Sequence, residues 1–403
     1  MQFTNSIFKN LTVIETANVL AGPSVGMFFA ELGATVIKVE NINTGGDITR
    51  SWKLPSETTD SDISAYFSSV NWGKKSIGID YSISEGYSVL IDLLRNADIF
   101  LQSFKLGDAK KFNLDYPTLQ KVNDRLIYAS ITAFGEKDDR LGYDAILQAE
   151  TGFMGMNGTG FSGPVKMPVA LIDVLLAHQL KEALLIALIE RLQSGHGSYN
   201  TVSLFDSGIA SLVNQCANYL VGKSTPTLLG SDHPNIAPYG TTYKTYNNDL
   251  IVLAVGTNGQ FESLCEILGI PNLSSDPRFE TNQQRVTNRN ILNKFLVTQI
   301  CKWEREALLE KLRHQKVPAG AVKNLDEILE NDSTKQMRLD GTQSNGSTIT
   351  GLRSIAFENN TVQKVKNLKP PPNFNIDSYF LLTEMLNYSD QKIEKLKENR
   401  AIV

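Results

Sequence analysis

The stretch that decides the fold is LTVIETANVLAGPSVGMFFAELGATVIKVE, which occupies residues 11–40. It begins with an apolar, β-branched run at Leu11–Glu15 and ends with a second at Thr35–Glu40, and both predict β-strands. Between them, Pro23 opens an apolar segment that Gly33 can end, which is typical of a helix. The order strand, helix, strand predicts a parallel βαβ unit.

The same alternation continues through the first two hundred residues. Further strands are predicted at Ser76–Asp80, Ile99–Gln102, Leu126–Ile131, Val169–Ile172 and Tyr199–Leu204. Helices are predicted at Glu85–Asn96, Tyr116–Val122, Val174–Leu192 and Phe205–Val221. This pattern predicts an α/β fold with a doubly wound, Rossmann-like large domain.

A change of composition marks a second domain. Residues 223–248 are rich in Gly, Pro, Ser, Thr and Asn, which indicates a linker. Tyr243–Thr245 and Leu250–Val255 flank Asn247-Asn248 as a plausible hairpin, and amphipathic helices follow. The predicted domains are residues 1–222 for the large α/β domain, 223–335 for a smaller α+β domain, and 336–403 for a segment that returns to the large domain.

Composition bounds the function classes. The 403 residues are 41% hydrophobic, and 39 Lys plus Arg against 43 Asp plus Glu give a formal net charge of −4. A mildly acidic chain lacks the basic surface of a dedicated nucleic-acid-binding protein. No apolar run reaches the roughly 18 residues that a membrane helix needs. We therefore expect neither a nucleic-acid nor a membrane partner.

The cysteines and histidines argue against a disulfide framework and against a metal site. Three Cys and four His residues are scattered without a CxxC or HExxH pattern. The N-terminal residues run almost directly into the first predicted strand, which leaves no room for a signal sequence. We expect a cytoplasmic protein with no metal or redox cofactor.

The first βαβ unit invites comparison with dinucleotide-binding proteins. Glu40 ends the second strand, where such proteins place a ribose-binding carboxylate. The turn AGPSVG, residues 21–26, lacks the G-x-G-x-x-G pattern, and Pro23 removes a backbone N–H that a pyrophosphate would need. A plain βα turn is the favoured interpretation.

Asp173 lies between the predicted strand Val169–Ile172 and the Leu-rich helix that follows. An Asp at that place is either a helix N-cap or, since ligands bind at strand ends in α/β sheets, a nucleophile towards an activated acyl group. Its ordinary pKa of about 3.9 predicts that it is ionised at neutral pH. Position alone does not decide between the two.

Two further segments are open to a functional and a structural interpretation. GTNGQ, Gly256–Gln260, is either a mobile loop with exposed N–H groups or a plain turn in which Asn258 caps the next helix. RLGYD, Arg140–Asp144, either lines a site or forms a surface turn and a helix cap.

Taken in order, the segments resemble the class III CoA-transferase superfamily, which includes formyl-CoA transferases, carnitine CoA-transferases and α-methylacyl-CoA racemases. The resemblance covers nearly the whole chain. It is carried by LTVIETANVLAGP (Leu11–Pro23), ELGATVIKVE (Glu31–Glu40), GDITRSW (Gly46–Trp52), NWGKKSIGID (Asn71–Asp80), GYDAILQAETGFM (Gly142–Met154), ERLQSGHG (Glu190–Gly197), HPNIAPY (His233–Tyr239), AVGTNGQF (Ala254–Phe261) and DPRFETNQQRVTNRNIL (Asp276–Leu292). It implies an interlocked homodimer with active sites between subunits.

The resemblance also implies residue roles. Asp173 matches the family's acyl-carrying nucleophile, and Gly256, Gly259 and Gln260 match a glycine-rich loop that closes over the site. The positions that match contacts to coenzyme A, bound as acyl-CoA substrate, are Val19, Ala21, Ile79, Phe104, Lys111, Arg140 and Tyr143. Leu20 stands where formyl-CoA transferases have Gln, which argues against formate and oxalate. Asn41 and Ser82 stand where they have Arg and Lys, so fewer positive charges are expected at the CoA phosphates.

The implied activity is transfer of CoA from an acyl-CoA donor to a carboxylic acid through an aspartyl anhydride and thioester. Tyr143 stands where racemases need a His, so the racemase alternative is disfavoured; a non-catalytic acyl-CoA-binding homologue is the other alternative. Several segments are most similar to the succinate–hydroxymethylglutarate CoA-transferases, which favours a dicarboxylate such as succinate. Arg50 or Arg140 is the expected partner of its free carboxylate.

Overall fold

The computed structural model describes residues 7–358, 362 and 368–403. The chain divides into two compact units. The first contains the described parts of Met1–Thr151, Pro168–Leu212 and Ser333–Val403, and the second contains Gly152–Met167 and Val213–Asp332. The predicted division differs in three places, since it puts residues 152–167 and 213–222 in the large domain and residues 333–335 in the smaller one.

The strands are, in chain order, β1 (Thr12–Glu15), β2 (Thr35–Glu40), β3 (Lys75–Gly78), β4 (Ile99–Gln102), β5 (Ile127–Thr132), β6 (Gly158–Thr159), β7 (Gly163–Pro164), β8 (Tyr199–Ser203), β9 (Tyr239–Lys244), β10 (Leu250–Ala254), β11 (Ala319–Ala321), β12 (Arg338–Thr342) and β13 (Thr348–Leu352).

The α-helices are α1 (Ala21–Glu31), α2 (Ala65–Ser68), α3 (Ser84–Arg95), α4 (Asp108–Lys111), α5 (Tyr116–Leu119), α6 (Asp144–Glu150), α7 (Phe153–Met156), α8 (Leu171–Ser194), α9 (Leu204–Ala210), α10 (Val213–Leu220), α11 (Asn258–Ile267), α12 (Asn282–Thr287), α13 (Arg289–Ile300), α14 (Arg305–His314), α15 (Leu325–Leu329), α16 (Asp332–Lys335), α17 (Ser378–Phe380) and α18 (Asp390–Glu398). In the part of the chain that the structure describes, none of the helices is both long and apolar enough to cross a bilayer.

The first unit is built on a six-stranded sheet in the order β3-β2-β1-β4-β5-β8. Every pairing in this sheet is parallel, which confirms the prediction of an α/β fold with a parallel sheet. The strand order reverses direction between β1 and β4, as it does in doubly wound folds, and ligands bind outside the carboxyl ends of the strands at such a point.

Close contact between α1 and the sheet explains the glycines of the first βαβ unit. A side chain at Gly22 would collide with Ala17, and one at Gly26 would collide with the carboxylate of Glu15. These glycines therefore allow the helix to lie directly against the residues of β1 and of the turn that follows. They serve packing rather than phosphate binding.

Two predicted elements around the second half of the first unit are wrong. Val169–Ile172 is not a strand; the chain turns there and α8 begins at Leu171. The predicted helix Phe205–Val221 is two helices, α9 and α10, and Val213 has a φ of 39° at the break. A short apolar run can belong to a strand or to a buried helix, and periodicity does not separate the two.

The second unit has a core of its own. Its antiparallel sheet has the order β11-β10-β9. The β9–β10 pairing confirms the predicted hairpin, and Asn248 takes the left-handed conformation, with a φ of 63°, in the connecting turn. Phe261, Leu264, Leu292 and Leu308 belong to the buried cluster that packs with this sheet.

Candidate active site

The first unit contains a cavity of about 720 Å³. Its walls come from the segments that follow β1 and β4, from β5 and the loop after it, and from the start of α8. These are the carboxyl ends of parallel strands next to the β1/β4 switch point, which is where an open α/β sheet is expected to bind a ligand. Val19, Ala21, Phe104, Tyr143 and Asp173 all line this cavity.

Asp173 lies in the first turn of α8 and is only 7% exposed. The sequence suggested that Asp173 lies at the end of a strand or is the helix N-cap, and neither is the case. The N-cap is Ala170, whose methyl group cannot accept a hydrogen bond. Asp144, at the start of α6, supplies the missing acceptor, because its Oδ1 accepts a hydrogen bond from the backbone N–H of Ile172 at 2.8 Å. The carboxylate of Asp173 is thus free of the capping role.

Burial raises the pKa of Asp173 to about 7, and the negative charge of Asp144 adds to the effect. This raised pKa contradicts the sequence-based expectation of a fully ionised carboxylate. At neutral pH a large fraction of Asp173 side chains carry a proton. Carboxyl groups with strongly perturbed pKa values inside a cavity are candidates for a chemical role.

Tyr66 is a neighbour of Asp173 that the sequence did not reveal. Burial raises the pKa of its phenol to about 12, with further contributions from the charges of Asp173, Asp144 and Asp47. The ring of Tyr66 packs edge-on against Trp52, with 5.1 Å between the ring centroids. The phenol is therefore a neutral hydrogen-bond donor close to the buried carboxyl groups, and no sequence pattern marks it as such.

A buried network of charges lies beneath the start of α1. The ammonium of Lys38 is 3.2 Å from Glu15 Oε1 and 2.9 Å from Asp47 Oδ2. Lys74 donates to both oxygens of Glu15 at 2.9 Å. Burial lowers the pKa of Lys74 to about 8, against the opposing effect of Glu15. The ion pairs of this network offset the free-energy cost of burying these charged side chains.

This network reaches the cavity wall through Val19. The carboxylate of Asp47 accepts a hydrogen bond from the N–H of Val19, at 3.3 and 3.4 Å for its two oxygens. Val19 has a φ of 73°, which is strained for a β-branched residue. Such strain persists only when the surrounding structure holds it, and it is concentrated at functional sites.

Glu40 and Arg50 pair with each other. Arg50 binds both oxygens of Glu40 at 2.7 and 2.8 Å, and Ser76 and the N–H of Asp47 also donate to this carboxylate. Glu40 therefore has no free oxygen for a ribose, and the dinucleotide alternative fails here. Arg50 also donates to the carbonyl of Pro372, so it is not available to a substrate carboxylate as the sequence suggested.

Residues 8–377 match CoA-transferase family III. The chain belongs to this family. It is 36% identical over 370 residues to the succinate–glutarate CoA-transferase of Agrobacterium fabrum, an alignment covering 90% of this chain and 92% of that protein. The mouse succinyl-CoA:glutarate CoA-transferase is 32% identical, covering 96% of this chain and 88% of that protein. A CAIB/BAIF family protein from Brucella suis has a crystal structure with a TM-score of 0.83 at 35% identity, covering 95% of this chain and 100% of that one.

These matches confirm the superfamily that the sequence resembled, and the protein is a family III CoA-transferase. Enzymes of this family act on CoA thioesters, so the cavity is a candidate site for an acyl-CoA. Phe104 lines it beside Leu106 and Ala109, which gives an apolar surface suited to an adenine ring or a pantetheine chain. Ile79 and Lys111, by contrast, do not line it: Ile79 is fully buried and bridges to Ile402, and Lys111 is exposed beside Phe112.

The charges on the cavity wall are mixed. Among the described residues that line it, Lys105 and Arg140 are the cations, and the acidic ones are Asp115, Glu136, Asp138, Asp139 and Asp173. Arg140 is already held by Asp138 at 2.9 Å and by Glu150 at 2.9 Å, and its guanidinium lies 3.8 Å from the centre of the Phe134 ring. Lys105 is thus the cation on this wall with no ion pair, and it fits a phosphate or a free carboxylate.

The loop Gly256–Gln260 belongs to the second unit and has a defined conformation. Thr257, not Asn258, is the N-cap of α11, and the helix begins at Asn258 rather than at Phe261. Gln260 forms a capping box with Thr257, since its Oε1 accepts from the N–H groups of Gly256 and Thr257 at 2.9 and 3.2 Å. The predicted site residue Gln260 is therefore used to cap a helix.

Arg285 binds the first residue of the same helix. Its guanidinium is fully buried and donates to Asn258 Oδ1 at 3.0 Å and to the carbonyl oxygens of Ala237 and Phe279 at 2.9 Å. It also lies 4.6 Å from the centre of the Phe261 ring. Neutral acceptors thus surround a buried cation at the start of α11. Across the described residues, no group of three or more His, Cys, Asp or Glu side chains is arranged to hold a metal ion.

Proposed function

We propose that this family III enzyme transfers CoA between succinyl-CoA and a second short dicarboxylic acid, with Asp173 as the nucleophile. The substrate class is supported by relatives named succinate–glutarate, succinyl-CoA:glutarate and succinyl-CoA:mesaconate CoA-transferase. The role of Asp173 is supported above all by one observation: a buried carboxyl group, free of the capping role, on the wall of the cavity at the sheet's switch point.

The reaction divides into balanced steps. An Oδ atom of Asp173 attacks the thioester carbonyl of the donor, the C–S bond breaks, and a mixed anhydride and CoA thiolate result. The thiolate then attacks the aspartyl carbonyl, which gives an aspartyl-CoA thioester and releases the donor acid. The acceptor carboxylate attacks this thioester, its C–S bond breaks, and a second mixed anhydride and CoA thiolate result. The thiolate then attacks the acceptor's carbonyl carbon, which gives the new acyl-CoA and releases the carboxylate of Asp173. Covalent catalysis thus replaces one poor exchange by steps between activated acyl groups.

The position of Asp173 suits these steps. An anhydride hydrolyses in water, and a carboxyl group that is 7% exposed is largely shielded from solvent. Only the ionised form attacks, so a pKa of about 7 makes the first step faster as the pH rises through neutrality. Lys105, the cation on the described wall that has no ion pair, can bind the second carboxylate of a dicarboxylic acid.

We also propose that the enzyme is a homodimer. The helix α8 exposes apolar side chains that a soluble monomer would normally bury: Leu185, Ile186, Ile189 and Leu192. Leu192 is 87% exposed. An apolar face on the helix that also carries Asp173 is consistent with a second subunit packing there.

The experiment is a transfer assay with succinyl-CoA and a panel of mono- and dicarboxylic acids, read by mass spectrometry of the CoA products. We expect new acyl-CoA species with glutarate or another C4–C6 dicarboxylate, and none with Asp173→Ala. Absence of any new acyl-CoA from the whole panel would overturn the proposal. Intact mass after incubation with succinyl-CoA distinguishes a binding protein, which would carry no covalent adduct.

The racemase alternative has its own test. A racemase removes the proton on the α-carbon of a 2-methylacyl-CoA, so it would incorporate deuterium from D2O at that carbon. We expect no incorporation, because Tyr143 stands at the position where racemases need a His base.

A further inference from the structure

Asp144 is buried and accepts two hydrogen bonds, one from the start of α8 and one from a residue of its own helix α6. Its Oδ1 accepts from the N–H of Ile172 at 2.8 Å, and its Oδ2 accepts from the Nε2 of Gln148 at 2.7 Å. Gln148 is also buried, and its Nε2 lies 3.2 Å from the carbonyl oxygen of Val169. The pair therefore holds the chain on both sides of Ala170, where α8 begins.

The bond to Ile172 replaces a cap that α8 lacks. A capping side chain normally belongs to the N-cap residue and accepts from the second or third helical N–H. Ala170 has no such side chain, and Ile172 is the second residue of the helix. Asp144 thus performs the capping role from a different helix, and it fixes the peptide unit between Leu171 and Ile172, in the turn that carries Asp173.

We propose that Asp144 is a positioning residue for Asp173, which fixes the first turn of α8 by its hydrogen bond and sets a second negative charge beside the nucleophile. The inference rests on the proposed role of Asp173. Among the described residues, Tyr66 on α2 also interacts electrostatically with Asp173, and the cavity wall that carries Asp173 also carries Tyr143 and the charged groups Lys105, Arg140, Asp115, Glu136, Asp138 and Asp139. Tyr66 stays neutral, and Arg140 is paired with Asp138 and Glu150.

The second charge has a consequence for the reaction. Two neighbouring carboxylates repel each other, which raises the free energy of the ionised empty enzyme. When Asp173 is acylated, its negative charge disappears and the repulsion with Asp144 is relieved. Asp144 therefore favours the acyl-aspartyl state over the free carboxylate. Burial is the main cause of the higher pKa of Asp173, and the same repulsion adds to it.

The test uses Asp144→Asn, which removes the charge and keeps an oxygen that can accept from Ile172. The acid limb of the pH profile of kcat/KM should move to lower pH by about one pH unit. Asp144→Ala loses the acceptor as well, so it should lower kcat across the whole pH range and lower Tm. Asp124→Asn, an exposed carboxylate in the same unit, is the control and should leave the acid limb in place.

A second measurement needs no turnover. The difference in Tm between the parent and Asp173→Asn changes with pH, because only the parent has the titrating Asp173 side chain. The pH at the midpoint of this change should fall when the same comparison is made with Asp144→Asn added to both proteins. If the midpoint and the acid limb both stay where they are in the parent, the proposal about Asp144 is wrong. If no protein transfers CoA but the midpoint moves, the coupling stands and the proposed function fails.

Discussion

Asp173 combines two properties that oppose each other in a folded protein. Burial and the nearby charge of Asp144 make the ionised side chain costly. The same environment excludes water and makes the carboxylate a stronger nucleophile once it is ionised. A residue kept only for stability would not occupy such a position, because an uncharged side chain of the same shape would fit it better.

We predict that Asp173→Asn stabilises the protein above neutral pH. The pKa of Asp173 in the folded protein is about 7, which is above its ordinary value. The parent therefore has its full stability below a pH of about 4 and loses part of it as the pH rises through 7. The variant does not suffer this loss, so it should exceed the parent by a free energy of unfolding of the order of 4 kcal/mol at pH 8 and by little at pH 4. Urea denaturation at both pH values measures the difference.

Asp124→Asn is the matched control, because its carboxylate is exposed and should give the same small difference at both pH values. Equal stability of Asp173→Asn and the parent at pH 8 would contradict the raised pKa.

The sequence identified Asp173 as a candidate but gave the wrong protonation state. A pKa depends on burial and on charges that are distant in sequence, and Asp144 is 29 positions away along the chain. The same limit applies to Lys38 within the strand TVIKVE, whose partners Glu15 and Asp47 come from other segments. Residue type and position indicate which groups can react, whereas the fold decides which of them are charged.

At the scale of elements, the sequence predicted the strands of the parallel sheet well. Thr35–Glu40 and Ile99–Gln102 have the predicted bounds, because runs of β-branched and apolar residues that are buried on both faces give an unambiguous pattern. The start of α8 was missed, since the apolar residues before Asp173 fit a strand and a helix equally well. No Gly or Pro marks the break between α9 and α10.

The pair of Glu40 and Arg50 links β2 to the turn after it and to Pro372. We predict that Glu40→Gln destabilises the protein by about 3–5 kcal/mol, because it leaves the buried guanidinium of Arg50 without its bidentate partner. Although burial alone would raise the pKa of Glu40, Arg50 lowers it, so the pair is charged at neutral pH. The midpoint of chemical denaturation measures the change.

Asp276→Asn breaks an exposed ion pair with Arg278 and is the control, which should leave the midpoint nearly unchanged. A comparably small effect for Glu40→Gln would show that the buried pair contributes no more than an exposed one.

The start of α11 allows a test of the predicted lid. Gly259 has an ordinary φ, and an added methyl group would meet no atom within 4 Å. Gly259→Ala should therefore stabilise the helix by up to about 1 kcal/mol. If the loop closes over bound substrate, as the family resemblance implies, the same methyl group should lower kcat/KM although Tm rises.

Gly155→Ala, at another helical glycine with open space around it, should raise Tm without a change in kcat/KM. Full activity of Gly259→Ala would argue that the loop does not approach the substrate.

At the scale of the whole molecule, the order of the strands determines the position of the candidate site, and no single motif does so. The first βα turn lacks the G-x-G-x-x-G pattern, yet the sheet has the switch point between β1 and β4 that such folds share, and the cavity lies beside it. The sequence could predict the parallel sheet and the family, because both depend on many segments in a fixed order. It could not predict the wall of mixed charge, which depends on how the loop after β5 folds.

The exposed face of α8 leads to the last prediction. Ile189 and Leu192 lie one turn apart on this face, and a monomer in water gains nothing from exposing them. If a second subunit covers the face, two charges there would have to be buried unpaired, so Ile189→Glu/Leu192→Glu should dissociate the dimer. Light scattering after gel filtration should give twice 44.6 kDa for the parent and 44.6 kDa for the variant.

Leu325→Glu, which changes an exposed apolar residue of the second unit, is the control and should keep the dimer mass. A parent that is monomeric at micromolar concentration would contradict the proposed dimer, whereas a dimeric parent whose double variant stays dimeric would place the interface elsewhere on the surface.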